Sequence, residues 1–203
     1  MLYLANASSP RVREAMLTGQ LGQMVTPAEG RRPLPGVPFG ADNGCFGKGY
    51  PGDAEWFAWL DLLPRENCLF AAAPDVVADA VATMTRSGPW LARIRERGFP
   101  AALVAQDGLE RLPVPWDDFD VLFIGGSTEW KLSRHAARLA HEAKDHGKHV
   151  HMGRVNSGRR KAIADIFECD SVDGTFLVFG PDVNLPRLLN WMETPTLFGG
   201  GLT

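Results

Sequence analysis

The sequence predicts a compact (β/α)8 barrel, built as a single domain that spans residues 1–203. Two observations favour this fold class: eight short apolar runs follow one another along the chain, and segments with helical periodicity separate most of them. A third observation is that polar residues or glycines repeatedly follow the last apolar residue of a run, as they do at the catalytic mouth of such barrels. A doubly wound open sheet is the alternative arrangement of the same elements.

The apolar runs are the predicted strands. In chain order they are LYLAN, QMVTP, PFGADNG, LFAAAPD, AALVAQD, DVLFIGG, HVHMGR and SVDGTF. Most are too apolar for a half-exposed sheet, which is typical of parallel strands that helices cover. The chain is short for this fold, so we expect some helices to be shortened or missing. The Pro/Gly-rich stretch Glu29–Gly40, between the second and third strands, is where one helix is expected to be absent.

Four helices have boundaries that can be predicted from capping and stop signals. The predicted starts are Asp53, Ser87 with Pro89, Ser127 or Thr128, and Ser157. The predicted ends of the first three are Pro64, Gly98 and Gly147. Helices at these positions would cover the outside of a parallel barrel.

The composition is that of an ordinary soluble globular protein, with 45% hydrophobic and 22% charged residues. No run approaches the roughly 20 apolar residues of a membrane span, and the N-terminus lacks the features of a signal peptide. We therefore expect a cytoplasmic protein with no membrane partner. Cys45, Cys68 and Cys169 lack paired spacing, which argues against disulfides and against a cysteine zinc site. No metal and no cofactor are expected.

The net charge of −3 does not indicate a nucleic-acid partner for the chain as a whole. A local basic run does: residues 147–161 (GKHVHMGRVNSGRRK) contain five Lys or Arg residues and no acid. Within it we expect Arg154, Arg159, Arg160 and Lys161 to bind a phosphate backbone, because barrels often build phosphate sites beside their last two strands. A solvated helix face is the alternative interpretation.

Six of the predicted strands end in polar groups or bare backbone that would meet at one mouth of the barrel. These residues are Asp42, Asp75, Gln106, Gly125 with Gly126, Arg154 and Asp173. Asp107, which precedes a glycine, is predicted to be a turn residue. Asp170 comes before its strand and is not assigned to the mouth.

Such a ring of groups suits a flat heterocycle. A carboxylate accepts hydrogen bonds from the N–H and NH2 edge of guanine, while an amide and glycine N–H groups donate to its carbonyl oxygen. Two further carboxylates suit chemistry at the anomeric carbon of a sugar, where one attacks as nucleophile and the other moves protons. His149 and His151 alternate with Val150 and Met152, and we expect the two histidines to point away from this pocket.

At these residues the sequence resembles the tRNA-guanine transglycosylase family (queuine/archaeosine tRNA-ribosyltransferases). It is most similar to the short relatives that insert 7-deazaguanines into DNA in phages and bacterial modification islands. Five stretches carry the likeness in the family's order: Asp42–Phe46 (its Asp-Ser-Gly-Gly-Phe), Val104–Gly108 (Val-Gln-Gly-Gly), Phe123–Gly126 (the Gly-Gly-Leu-Ala loop), His151–Gly153 (Leu-Met-Gly) and Asp170–Asp173 (the segment ending in the nucleophile).

The resemblance implies a pentosyltransferase that replaces guanine in DNA with a 7-deazaguanine derivative, for which preQ0 is one candidate. Its implied residue roles are Asp173 as nucleophile, Asp42 as general acid and base, and Asp75, Gln106, Gly125, Gly126 and Met152 as base-binding residues. The implied partners are DNA and the free base. The sequence leaves open whether the chain acts as a monomer or with an accessory protein.

Two departures from the family pattern bear on the substrate. The tRNA enzymes carry a Cys-x-Cys-x-x-Cys…His zinc subdomain, whereas here Cys169 is the last cysteine and 30 residues follow Asp173. The Gly-Gly loop continues as Ser127-Thr128-Glu129 instead of Leu-Ala. The alternatives are a hydrolase of N-glycosidic bonds in nucleic acids or nucleosides, a tRNA-directed transglycosylase, and a catalytically inactive nucleic-acid-binding barrel.

Overall fold

Eight parallel strands form a closed barrel in the computed structural model, which describes residues 1–30, 32–47 and 49–194. The strands are β1 (Leu2–Ala5), β2 (Gly22–Val25), β3 (Phe39–Ala41), β4 (Cys68–Ala72), β5 (Ala101–Ala105), β6 (Val121–Ile124), β7 (His149–Met152) and β8 (Ser171–Asp173). Each strand pairs with its neighbours in chain order, and β1 closes the ring on β8 through pairs such as Leu4 with Asp173. The predicted barrel is confirmed, and every predicted run overlaps a strand.

Seven α-helices are present among the described residues. They are α1 (Pro10–Leu17), α2 (Asp53–Asp61), α3 (Ala80–Glu96), α4 (Thr128–Lys131), α5 (Arg134–Asp145), α6 (Gly158–Ile166) and α7 (Pro181–Glu193). As predicted, the described part of the β2–β3 connection holds no α-helix, only the short 3-10 turn Pro27–Glu29. The β5–β6 connection also holds only 3-10 turns, which the sequence pattern did not reveal.

The predicted start of α6 is confirmed, because the Ser157 side chain accepts a hydrogen bond from the Arg160 amide. Ser127 likewise caps α4, but that helix lasts one turn, and a second cap at Ser133 begins α5. For α2 the predicted cap was off by one residue: Gly52 is the cap, and Asp53 is the first helical residue.

The predicted start of α3 was wrong. The helix begins at the cap Asp79, whose side chain accepts from the Ala82 amide, and Pro89 lies inside it. Ser87 does not cap a helix, because its hydroxyl donates to the Pro74 carbonyl oxygen at 2.8 Å and so ties the helix to the end of β4. The Ser87 side chain therefore makes a tertiary contact, whereas the sequence pattern assigned it to a local helix cap.

Side chains on the strands alternate between two apolar layers. The inner layer fills the barrel and consists of Leu4, Met24, Phe70, Ala72, Ala102, Val104, Val121 and Phe123. The outer layer, between strands and helices, holds the larger cluster, and full burial of each large side chain there contributes about 1.5–3 kcal/mol. On β7, Val150 and Met152 belong to the outer layer, whereas His151 packs against Phe70 and Phe123 inside the barrel. The predicted orientation of this strand was therefore wrong.

No helix in the described part of the chain combines the length and the apolar character needed to cross a membrane.

Candidate active site

A cavity of about 420 Å³ opens at the mouth formed by the C-terminal ends of the strands. Its volume lies in the usual range of small-molecule sites, about 300–1,000 Å³. All eight strands, or the residues directly after them, contribute to its lining. The predicted site residues that line it are Asp42, Asp75, Gln106, Gly125, Gly126, Arg154 and Asp173. The closed barrel brings these residues together because each follows a parallel strand that ends at the same mouth.

The buried carboxylate of Asp75, after β4, belongs to a fixed hydrogen-bond network. Asn43 Nδ2 donates to its Oδ1 at 2.8 Å, and Gln106 Nε2 donates to its Oδ2 at 2.5 Å. Gln106 is itself held by the amides of Ala78 (2.8 Å) and Gly126 (3.0 Å), which both donate to its Oε1. Burial raises the pKa of Asp75, and the hydrogen bond from Asn43 opposes this shift. The network therefore fixes the orientation of the Asp75 carboxylate, an acceptor group in the cavity wall.

The glycine pair after β6 lets the backbone approach this network closely. A Cβ on Gly125 would lie 2.8 Å from Val104 Cγ1. Gly126 has a left-handed φ of +70°, and a Cβ there would lie 2.6 Å from the Trp130 ring. Asp107 lies in a turn as predicted, and its carboxylate accepts from the amide and hydroxyl of Ser127. The loop after β6 is thus set by backbone conformation and by contacts that leave no room for a side chain.

We expect Gly126→Ala to destabilise the fold more than Gly147→Ala does. Gly147 has a similar φ of +67°, but nothing lies within 4 Å of the position of its Cβ, so it isolates the backbone strain of roughly 1 kcal/mol. Crowding against Trp130 should add about 1–3 kcal/mol at Gly126. Urea unfolding of the two variants measures the difference, and equal losses of stability would contradict the crowding.

Asp173, at the end of β8, is held by strand β7 and by the loop that follows it. Its Oδ1 lies 3.0 Å from His151 Nε2, and its backbone carbonyl accepts from the Val155 amide at 2.6 Å. Burial lowers the pKa of His151, and the neighbouring Asp173 carboxylate opposes that shift. Gly153 approaches the carboxylate closely, because a Cβ there would lie 3.2 Å from Asp173 Oδ1. The Asp173 side chain keeps a 20% exposed fraction, so it remains accessible from the cavity.

The third carboxylate of the cavity, Asp42 after β3, has a raised pKa. Burial raises its pKa from 3.8 to about 7, and the charges of Asp173 and Asp75 add to the increase. Backbone amides of Asn43 and Gly44 oppose the shift by hydrogen bonding to the carboxylate. A group with a pKa near the working pH is suited to general acid and base catalysis, because both protonation states are populated.

Sequence reasoning missed a buried lysine in the cavity wall. Lys131, in the one-turn helix α4, is 3% exposed, and its Nζ donates to the Gly153 carbonyl oxygen at 2.6 Å. Burial lowers its pKa to about 7; the positive charge of Arg154 adds to this effect, and Asp173 opposes it. Lys131 lies seven residues beyond the end of β6, so the strand-end pattern gave no signal for it.

Arg154, after β7, crosses the mouth of the barrel. Its guanidinium donates to the Gly126 carbonyl oxygen and stacks over the Phe46 ring, with 4.1 Å from Cζ to the ring centroid. Phe46 follows β3, on the opposite side of the barrel, and is 61% exposed at the cavity rim. Together with Lys131, which binds the Gly153 carbonyl, Arg154 ties the loops after β6 and β7 to each other. Phe46, like Lys131, lay outside the strand-end pattern.

Four of the predicted residues do not line the cavity. Met152 is fully buried in the outer layer. Lys161 is buried, and its Nζ donates to Asp165 Oδ2 and to the Thr194 carbonyl, both at 2.8 Å, so it is not placed to bind phosphate. Arg160 donates to the Arg154 carbonyl at 2.9 Å, whereas Arg159 is exposed. Of the basic run, Arg154 reaches the cavity, and Arg159 remains accessible to a large partner.

A search of the described residues finds no group of three or more His, Cys, Asp or Glu side chains that could hold a metal ion.

Comparison with known proteins finds no family model that matches the chain and no curated protein with significant similarity to it. A functional assignment therefore depends on the chemistry of the cavity and on the short motifs that form its walls.

Proposed function

We propose that the protein is a base-exchange transglycosylase that replaces guanine in DNA with a 7-deazaguanine derivative through a covalent aspartyl–sugar intermediate. Many chemistries use this barrel, so the fold alone does not select one. The observation that carries the proposal is the pair of carboxylates in one cavity: Asp173 bonds to a buried histidine, and burial and neighbouring acids raise the pKa of Asp42 to about 7. The motif resemblance supports the same assignment.

The first half of the reaction removes guanine. An oxygen of Asp173 attacks C1′ of the target nucleotide, the C1′–N9 bond breaks, and its electrons leave with the base. Protonated Asp42 gives its proton to the leaving guanine, which departs as a neutral molecule. The product is an ester between Asp173 and the sugar.

The second half inserts the new base. Asp42, now ionised, removes the N9 proton of the 7-deazaguanine as N9 attacks C1′, and the ester C–O bond breaks to regenerate the Asp173 carboxylate. Two inversions at C1′ give retention of configuration, as in retaining glycosidases. Atoms and charges balance without a cofactor, because one base replaces another.

Recognition of the base is assigned to the network around Asp75. Its carboxylate accepts from the N–H and NH2 edge that guanine and 7-deazaguanines share. Gln106, Gly125 and Gly126 line the same cavity, and the amides of Gly125 and Gly126 already donate to the Ala105 carbonyl and to Gln106 Oε1. Because Asn43 and Gln106 hold Asp75 in place, little ordering is needed when the base binds.

DNA is the proposed polymer. The target nucleotide must leave its stack to reach a cavity inside the barrel mouth. Arg154, which lines the cavity, and Arg159, which is exposed in the first turn of α6, are the residues that we propose bind the DNA backbone. We propose that the enzyme acts in the cytoplasm, that of the host cell if a phage encodes it.

The proposal is tested by offering guanine-labelled duplex DNA and unmodified tRNA together, with and without a 7-deazaguanine. Release of label from DNA that requires the added base supports exchange on DNA. Release without added base, with abasic sites, would instead identify a hydrolase. Exchange confined to tRNA would identify tRNA as the substrate. If label is neither released nor exchanged, the protein would be a nucleic-acid-binding barrel without this activity.

We expect Arg159→Ala to weaken DNA binding without changing the choice of base. Loss of one phosphate contact should reduce the slope of log K against log salt concentration by about 0.7–0.9. Arg93→Ala is the matched control, because Arg93 is exposed in the last turn of α3, which lies at the other end of the barrel. Fluorescence anisotropy at several salt concentrations measures both slopes, and equal slopes for Arg159→Ala and the wild type would remove Arg159 from the DNA site.

A further inference from the structure

Four polar side chains form a continuous chain of hydrogen bonds inside the barrel, below the cavity. His149 Nε2 lies 2.7 Å from Ser171 Oγ, and the same Oγ lies 2.8 Å from His151 Nδ1. The other nitrogen of that ring, His151 Nε2, lies 3.0 Å from Asp173 Oδ1. The chain therefore runs from the lower end of β7 to the carboxylate at the cavity.

The pairing of the last two strands produces this chain. His151 is the cross-strand partner of Ser171, and alternation places His149, His151, Ser171 and Asp173 on the inner faces of β7 and β8. His151 and Ser171 are completely buried, and the rings of Phe70 and Phe123 pack on the imidazole at 4.7 and 4.4 Å. Barrel interiors are usually filled with branched apolar residues. Buried polar groups persist there when each is hydrogen-bonded, as all of these are.

The chemistry of the groups gives the chain one direction when Asp173 is ionised. A carboxylate only accepts, so His151 Nε2 must carry the ring proton. In a neutral imidazole Nδ1 is then an acceptor, and it takes the Ser171 hydroxyl proton. Ser171 Oγ in turn accepts from His149 Nε2–H. The position of the proton in each hydrogen bond determines its position in the next, and every hydrogen bond of the chain has one donor and one acceptor.

Both rings must be neutral in this chain, and the positive charges beside Asp173 favour this direction over the reverse. Burial lowers the pKa of His149 to about 4 and also lowers that of His151, so both rings are neutral at pH 7. The Asp173 carboxylate lies near Lys131 and Arg154 in the cavity wall, and its attraction to their positive charges opposes the lowering of both pKa values by burial. A protonated Asp173 would instead donate to His151 and reverse every bond in the chain.

We propose that His151 is a positioning residue, which His149 and Ser171 hold as the Nε2–H tautomer so that it fixes Asp173 Oδ1 and leaves Oδ2 to attack the sugar. This inference rests on the proposed function, because it takes Asp173 as the nucleophile. The imidazole does not touch the substrate in this role. It limits the rotation of the carboxylate and keeps one oxygen lone pair directed at C1′.

The tautomer is measured without any substrate, by 15N NMR of the full chain with labelled histidine at pH 7. The chain has five histidines, and the signals absent from a His151→Phe spectrum assign the ring of interest. We expect His151 as a neutral ring with its proton on Nε2. A proton on Nδ1, or a doubly protonated ring, would overturn the proposed chain.

Kinetics of base exchange test the positioning role. His151→Phe keeps an aromatic ring against Phe70 and Phe123 but removes the donor, and we expect kcat to fall about 100-fold with KM within about twofold. His151→Gln places an amide N–H near the position of the imidazole Nε2 and should recover much of the loss. Ser171→Ala removes the hydroxyl that donates to His151 Nδ1, so the ring proton is no longer held on Nε2. We expect this change to lower kcat about 10-fold.

Each outcome has a separate meaning. A folded His151→Phe variant with unchanged kcat, or a Gln variant no better than Phe, would overturn the positioning role. If His151→Phe fails to fold, the spectrum of His151→Gln assigns the ring signals, and the tautomer together with the kcat of Ser171→Ala tests the positioning role. If the wild-type protein exchanges no base, the proposed function fails, whereas the NMR result still tests the hydrogen-bond chain.

Discussion

Asp173→Asn should abolish base exchange, with a loss of about 10⁴-fold or more, while the protein remains folded. The amide cannot supply the oxygen anion that forms the ester with C1′. Its carbonyl oxygen can still accept from His151 Nε2, which lies 3.0 Å from the native Oδ1, so the barrel interior stays paired. The measurement is release of labelled guanine, together with a denaturation-resistant protein–DNA adduct that forms with the wild type and is missing in the variant.

Asp170→Asn is the matched control, because it makes the same chemical change three residues earlier. Asp170 lies before β8, forms a 2.8 Å ion pair with Lys144 and accepts from the Val150 amide. Its replacement should lower stability by about 1 kcal/mol and leave exchange in place. Normal turnover or adduct formation by Asp173→Asn would remove the nucleophile assignment.

The fold could be predicted from the sequence because the eight strands are short, apolar and separated by turn signals. Two of the predicted helix boundaries were wrong, one because of a tertiary contact and one because of a local cap. Ser87 has the pattern of a helix start, yet its hydroxyl bonds to Pro74, and α3 begins at Asp79. The break between α4 and α5 depends on a second cap at Ser133, and no glycine or proline in the sequence marks the end of α4.

The candidate site also has a part that could be predicted from the sequence and a part that could not. Residues that end strands were found because parallel strands share one mouth. The inward face of β7 was assigned wrongly, because an alternation of His with Val and Met does not show which set faces the barrel interior. That information resides in the packing of His151 against Phe70 and Phe123 and in its bond to Asp173.

Asp42→Asn should separate the role of the nucleophile from that of the general acid and base. Without a proton donor the departure of guanine slows, and without a base the incoming 7-deazaguanine is not deprotonated, so exchange should fall about 10²–10⁴-fold. The ester on Asp173 should still form slowly and then persist, because nothing resolves it. Quantifying the trapped adduct with and without added base measures this. An Asp42→Asn variant that turns over normally would contradict the acid and base role.

The same substitution should make the fold less sensitive to pH. The pKa of Asp42 is about 7 in the folded protein and 3.8 as an unperturbed group, so between these values the folded state binds more protons than the unfolded state. Stability from this group is fully present below about pH 4 and is lost as the pH rises to 7. At about 1.4 kcal/mol per pKa unit, the wild type should lose about 3 kcal/mol relative to Asp42→Asn between pH 5 and pH 8. Urea unfolding of both proteins at the two pH values measures this difference, in which the other titrating groups largely cancel. Parallel losses in the two proteins would mean that Asp42 is already ionised at pH 5, and an Asp42 ionised at pH 5 could not deliver a proton to guanine at neutral pH.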